Sequence, residues 1–162
     1  MQSLDLYHIK QQFFLGMSLL TPLQRVLNFY CRTGAYQSLA KQPLPDRASE
    51  DFIPALLYKA RSLIALNDAQ SALNLVPEDL ENVAVKAVAS LARYVDASDE
   101  SKAEAALEEL RDLAIEIEEE VAGVSDKDKA LVRVLASTAF ARAGEVEEAL
   151  ETLGTETEHL ES

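Results

Sequence analysis

Two short stretches carry residue types that could do metal chemistry. Asp5-x-x-His8 and Glu156-x-x-His159 each set a carboxylate three residues before an imidazole, a spacing that puts both on one helix face and recurs in carboxylate-bridged di-metal bundles. Such centres also need carboxylates projecting from facing helices into a core. His8 instead sits between Tyr7 and Ile9, the setting of a partly buried packing residue, and His159 lies in the solvated tail TETEHLES. Cys31 has no sequence-adjacent histidine or acid to activate it and reads as a small buried apolar residue. Glycine-rich phosphate loops, dinucleotide fingerprints and nucleophile elbows do not occur. The run Glu116, Glu118, Glu119, Glu120 lacks the alternating oxygen ligands and glycine turn of a calcium loop. Placed in the last turns of a helix, where negative charge opposes the dipole, it reads as a solvated face or a contact surface for a basic partner. No catalytic residue, cofactor or metal is expected.

The elements that would have to position any site follow from composition. The chain has 162 residues, 48% hydrophobic and 27% charged, with a formal net charge of −13. That length suits one domain or one array of repeats. Residues 1–80 hold 7 acidic and 7 basic side chains, whereas residues 81–162 hold 21 acidic and 8 basic. This balance argues against a nucleic-acid partner and against direct docking on an anionic membrane, since both attract clustered Lys and Arg. Phe13 to Leu20 (FFLGMSLL) is too short to span a bilayer, which takes about 20 apolar residues, and it reads as one face of a helix rather than a signal core. With a lone cysteine and no Asn-x-Ser/Thr sequon, a cytoplasmic protein is expected.

Almost all of the chain reads as helix. Gly and Pro number five each, and residues 84–149 are rich in Ala, Leu, Glu and Lys, which are strong helix formers. Thr21-Pro22 has the form of an N-cap and first-turn proline. Residues 42–46 (QPLPD) form a proline loop, and Ser49 is the next cap candidate, with Pro54 tolerable in the first turn after it. Pro77 closes a short helix begun near Asp68 and is expected to open the next. Ser98 or Asp99 starts another, and Ser125 with Asp128 has capping-box spacing. About eight helices result.

Within them lies a repeat. Ala72-Leu73, Ala106-Leu107 and Ala149-Leu150 recur at the same point of a helix start, with Leu39-Ala40 as a degenerate fourth, at intervals of 33, 34 and 43 residues. Five residues earlier stand Gly34, Asn67 and Gly144, types that tolerate the left-handed conformation ending a helix. Tyr36, Ala69 and Val146 follow two residues after each turn, where an apolar side chain is expected to pack back. A helix–turn–helix period near 34 is the tetratricopeptide pattern. The 43-residue interval needs an insertion, which a long acidic helix from Ser98 to about Gly123 can absorb. The expected fold is therefore an all-α tetratricopeptide-like solenoid forming one array over residues 1–162. Residues 1–48 make an atypical first repeat, with an irregular 17–30 segment, and residues 49–162 are more regular. Eight of the ten aromatic residues lie within the first 58 positions. They either fill a core or, as Tyr7, Phe13, Phe14 and Tyr58, line a partner groove on the concave face. Only Lys59 and Arg61 lie on a plausible groove helix, too few cations for a peptide-carboxylate clamp.

The opening LYHIKQQFFLG (Leu6 to Gly16) resembles the first helix of the epsilon subunit of coatomer. The segments ALLYKARSLIALNDAQSAL (Ala55 to Leu73), VAVKAVASLARYV (Val83 to Val95) and LASTAFARAGEVEEALETL (Leu135 to Leu153) follow in that family's order. The resemblance covers most of the chain apart from residues 17–30. It implies a non-enzymatic coat subunit, a helical clamp on the C-terminal region of the alpha coat subunit in Golgi-to-endoplasmic-reticulum transport. Membrane contact would be indirect, through the rest of the coat on Golgi and vesicle membranes. Ser162 falls about where the family's first half ends, so a truncated or atypical version is expected. The bare repeat leaves a second reading open, an adaptor that binds a short peptide of another protein.

Overall fold

The computed structural model describes residues 21–119 and 123–154. Among these residues the chain forms eight α-helices and no strand: α1 (Pro22–Arg32), α2 (Tyr36–Lys41), α3 (Phe52–Ala65), α4 (Ala69–Leu75), α5 (Val83–Asp96), α6 (Glu100–Glu118), α7 (Asp126–Ala143) and α8 (Val146–Thr152). They fall into four helix–turn–helix pairs, each a first helix (α1, α3, α5, α7) and a second helix (α2, α4, α6, α8). Each second helix packs on its own first helix and on the first helix of the next pair, and each first helix also packs on the next first helix. The second helices make no comparable contact with one another. This is a helical solenoid, and because the first helices lie closer together, their side of the array is the concave one.

Three of the four pair turns are the same hydrogen-bonded motif. Gly34, Asn67 and Gly144 have φ of 71°, 62° and 89°. One residue on, the backbone N–H of Ala35, Asp68 and Glu145 donates to the carbonyl five residues back, on Tyr30, Leu63 and Phe140, at 2.9 Å in each case. This is the Schellman closure, which satisfies carbonyls left open at a helix end. The third pair turns differently. Ala97 is extended (φ −58°, ψ 125°), and Asp99 starts α6 by accepting from the backbone N–H of Lys102 at 2.9 Å. Neither Gly nor Asn stands there, so the left-handed route is closed.

Other caps follow side-chain chemistry. Thr21 Oγ1 accepts from the backbone N–H of Gln24 (3.2 Å), with Pro22 first in α1. Ser125 Oγ accepts from Asp128 N–H (3.1 Å). Pro77 does not open a helix: residues 76–82 form a loop, and Asn82 starts α5 by accepting from the N–H groups of Ala84 and Val85 at 2.9 and 3.1 Å. A side-chain acceptor satisfies two orphan donors, which a proline ring cannot do. Ser49 is likewise a turn residue ahead of α3, bonded to the N–H of Asp51 (3.2 Å). Asp51 itself accepts from Thr21 Oγ1 (2.6 Å) and Gln24 Nε2 (3.0 Å), tying α1 to α3.

Of the 17–30 stretch read as irregular, residues 22–30 are helical, and residues 17–20 lie outside the described residues. The extra length of the third interval sits in α6, which has 19 residues against six or seven in the other second helices. Ala72, Ala106 and Ala149 are all buried (0%, 3% and 5% exposed), as is Leu39 in α2. Leu107 is buried and Leu73 half-buried. Ala69 is buried and Tyr36 half-buried, but Val146 is exposed, against the expectation that an apolar residue after each turn packs back; Leu150 and Leu153 are exposed as well. Inside the array a second helix is covered by the next pair, and no further pair follows α8 among the described residues.

The main core runs from α3 to α8 and includes Leu56, Ala60, Val85, Val88, Leu110, Val132, Leu135 and Phe140. A smaller cluster of Leu27, Leu39 and Ala55 joins the first pair to α3. Buried Ser62, Ser90 and Ser137 donate to the carbonyls of Lys59, Lys86 and Arg133 at 2.7, 3.0 and 2.6 Å, so burying them leaves no unpaired hydroxyl.

Candidate functional site

The two carboxylate–histidine pairs, Asp5/His8 and Glu156/His159, lie outside the described residues. Among the described residues no group of three or more His, Cys, Asp or Glu could hold a metal ion. Cys31 is half-buried against the Leu27–Leu39 cluster. Among the described residues no helix is long and apolar enough to cross a membrane.

The outer side of the array is rich in matched charge. Arg111 on α6 reaches Glu145 Oε2 (2.7 Å) and Glu148 Oε1 (2.9 Å) near α8, and Glu108 (3.0 Å) and Glu104 (3.2 Å) on its own helix. These carboxylates, Glu148 above all, push the Arg111 guanidinium further above its already high range. Arg133 on α7 donates to Glu118 Oε1 through Nε (3.0 Å) and Nη2 (2.7 Å), which gives one member of the acidic run a partner. Arg93 pairs with Glu109, and Lys86 with Glu81 at 2.8 Å. Two clefts open here, of about 690 Å³ between α4, α5 and α6 and about 520 Å³ around α6, α7 and α8. The cations lining both, Lys86, Arg93, Arg111 and Arg133, are all ion-paired.

The concave side is different. A cleft of about 280 Å³ lies between α3 and α7. One wall carries Ile53, Pro54, Leu57, Tyr58 and Arg61, and the other carries Lys127, Asp128, Ala130, Leu131 and Val134. Each set recurs at three- and four-residue intervals, so each is one stripe of a helix. Between them in the array runs α5, which contributes no lining residue and whose Ala84 and Ala87 are fully buried. Tyr58 is half-buried, and its hydroxyl accepts from Asn28 Nδ2 of α1 at 3.2 Å, which fixes the ring. Tyr58 thus lines the cleft, while Tyr7, Phe13 and Phe14 lie outside the described residues. Phe52 is in the core, and Phe29 is exposed on α1.

The two cations read from sequence part company. Lys59 donates its ammonium to the Gln42 carbonyl at the end of α2 (2.8 Å), a structural role, while Arg61 stays at the cleft. Its counterpart is Lys127, which sequence reasoning missed together with Leu131 and Val134. The signal was present as the stripe Lys127, Ala130, Leu131, Val134, but nothing local says that this stripe meets the one on α3.

The chain matches the family model described as coatomer epsilon subunit over residues 23–162. No curated protein and no solved structure gives a significant match. The matched span differs from the resemblance read off the sequence in two ways: it takes in residues 23–30 and leaves out the Leu6–Gly16 opening. A solenoid of four helix pairs matched over nearly its whole length places this chain in the coatomer epsilon subunit family, a family of structural coat components.

Proposed function

We propose that this chain is a non-enzymatic scaffold of the coatomer vesicle coat that binds and stabilises the C-terminal region of the alpha coat subunit. In this reading it serves Golgi-to-endoplasmic-reticulum retrograde transport from the cytoplasm. It reaches Golgi and vesicle membranes only through its protein partners. The observation that carries the reading is the family match over residues 23–162, on a helical array that presents a concave face. The helix pairs act as tetratricopeptide-type repeats, whose rigid stacking holds a partner rather than transforming it. A net charge of −13 accords with a protein partner and with neither nucleic acid nor an anionic lipid surface.

The test is co-expression with a C-terminal fragment of the alpha subunit, followed by size-exclusion chromatography. Co-elution at micromolar concentration is the expected result, and independent elution of the two chains overturns the reading. A second reading, an adaptor that takes a short peptide, draws on the apolar concave cleft. A tight linear motif that binds while the alpha fragment does not would favour it.

A further inference from the structure

The concave cleft is set apart by its cations. The lining cations of the outer clefts all have carboxylate partners: Lys86 with Glu81, Arg93 with Glu109, Lys102 with Asp99, Arg111 with four glutamates and Arg133 with Glu118. In the α3–α7 cleft, Arg61 and Lys127 stand on opposite walls, and neither side chain has an ion pair or hydrogen bond among the described residues. The side chains of Lys41, Lys129 and Arg142 are likewise without a partner among the described residues, but Arg61 and Lys127 are the two that line this apolar cleft. The lining also carries one carboxylate, Asp128, on the Lys127 wall. It lies in the first turn of α7, where the helix dipole favours it, and accepts weakly from Asn82 Nδ2 at 3.5 Å.

From this arrangement we infer that the cleft takes an apolar protein segment bearing a carboxylate, whose hydrophobic side chains lie on Ile53, Leu57, Leu131 and Val134 and whose acid is held between Arg61 and Lys127. The inference rests on the reading of the chain as a partner-binding scaffold and adds the chemistry of what enters the concave face. At about 280 Å³ the cleft falls below the usual range of small-molecule pockets and suits one or two side chains of a larger partner. Apolar burial supplies the attraction. The two cations, Arg61 half-buried and Lys127 exposed, disfavour basic segments by like-charge repulsion and favour acidic ones.

Panning a random dodecapeptide phage library on the full chain tests this. The peptides selected are expected to combine Leu, Ile or Phe with Asp or Glu. As fluorescent synthetic peptides they should bind Arg61→Glu/Lys127→Glu about tenfold or more weaker, and that variant should select Lys- or Arg-bearing sequences instead. Val134→Asp, at a position 43% exposed, should weaken binding of the same peptides. Circular dichroism melts confirm that each variant is folded. Selection without acidic bias, failure to select any apolar–acidic sequence, or undiminished binding to the charge-reversed variant overturns the inference. The alpha-subunit fragment separates the two readings. If it co-elutes equally with wild type and Arg61→Glu/Lys127→Glu while peptide selection ignores both cations, the cleft inference fails and the coat reading stands. If it elutes alone while peptide selection follows Arg61 and Lys127, the coat reading fails and the cleft inference stands.

Discussion

The guanidinium of Arg111 lies over the ring of Phe140, 5.5 Å from its centroid, while its nitrogens reach Glu145 and Glu148. One side chain of α6 is thus held by the end of α7 and by the turn and first residues of α8. With its side chain 23% exposed, Arg111 joins the inserted length of α6 to the last pair. Arg111→Met keeps the aliphatic packing on Phe140 but removes the charge and leaves four carboxylates facing one another. A loss of about 1–2 kcal/mol in chemical denaturation is expected, smaller at high salt. A double-mutant cycle with Glu148→Gln should return a non-zero coupling.

Gly144 separates conformational strain from crowding. Its φ of 89° is left-handed, yet a Cβ built there meets nothing within 4 Å. Gly144→Ala should therefore lower stability by about 1–2 kcal/mol through backbone strain alone. Asn67→Gly, at φ 62°, should be neutral or stabilising. Thermal melts of the two variants that move in the same direction would contradict this account.

The buried alanines of the second helices set how closely helices cross. Ala72→Leu, Ala106→Leu and Ala149→Leu should each destabilise by about 1–3 kcal/mol through overpacking. Ala72 should be worst, because it is fully buried in the middle of the array. Val146→Leu adds apolar bulk at a position 57% exposed and should change the melting temperature little.

Asp99 offers a pH readout. The backbone N–H of Lys102, donating to its carboxylate, holds the Asp99 carboxyl below its ordinary value of 3.8. A carboxyl depressed in the folded state contributes stability that is present above its unfolded value and lost as pH falls through its folded value. Carboxyl-detected NMR titration should place the Asp99 midpoint below 3.8. Asp99→Asn keeps the capping acceptor and cannot titrate, so its melting temperature should fall less than that of wild type across that acid range. Equal slopes would sink the assignment. The comparison isolates Asp99 from the other acids, which protonate in both chains.

What the sequence determined by itself is what depends on a residue and its near neighbours. Gly34, Asn67 and Gly144 mark three pair turns because a left-handed residue followed by a five-back hydrogen bond is a local event. Thr21, Asp68, Asp99 and Ser125 mark helix starts because a cap is a side chain reaching two or three residues along its own chain. The alanine spacing located the second helix of each pair, and the 43-residue interval located the lengthened α6. The tertiary structure alone decided which stripes meet. Arg61 and Lys127 come to one cleft, while Lys59, two residues from Arg61, turns to the Gln42 carbonyl. Asp51 is drawn from its own helix start to Thr21 and Gln24. Val146 stays exposed, although its position in the repeat reads as packed. Each of these outcomes depends on which neighbouring helix lies against which side. That follows from the curvature of the stacked pairs, a sum over contacts between residues far apart in the chain, and no single repeat contains it.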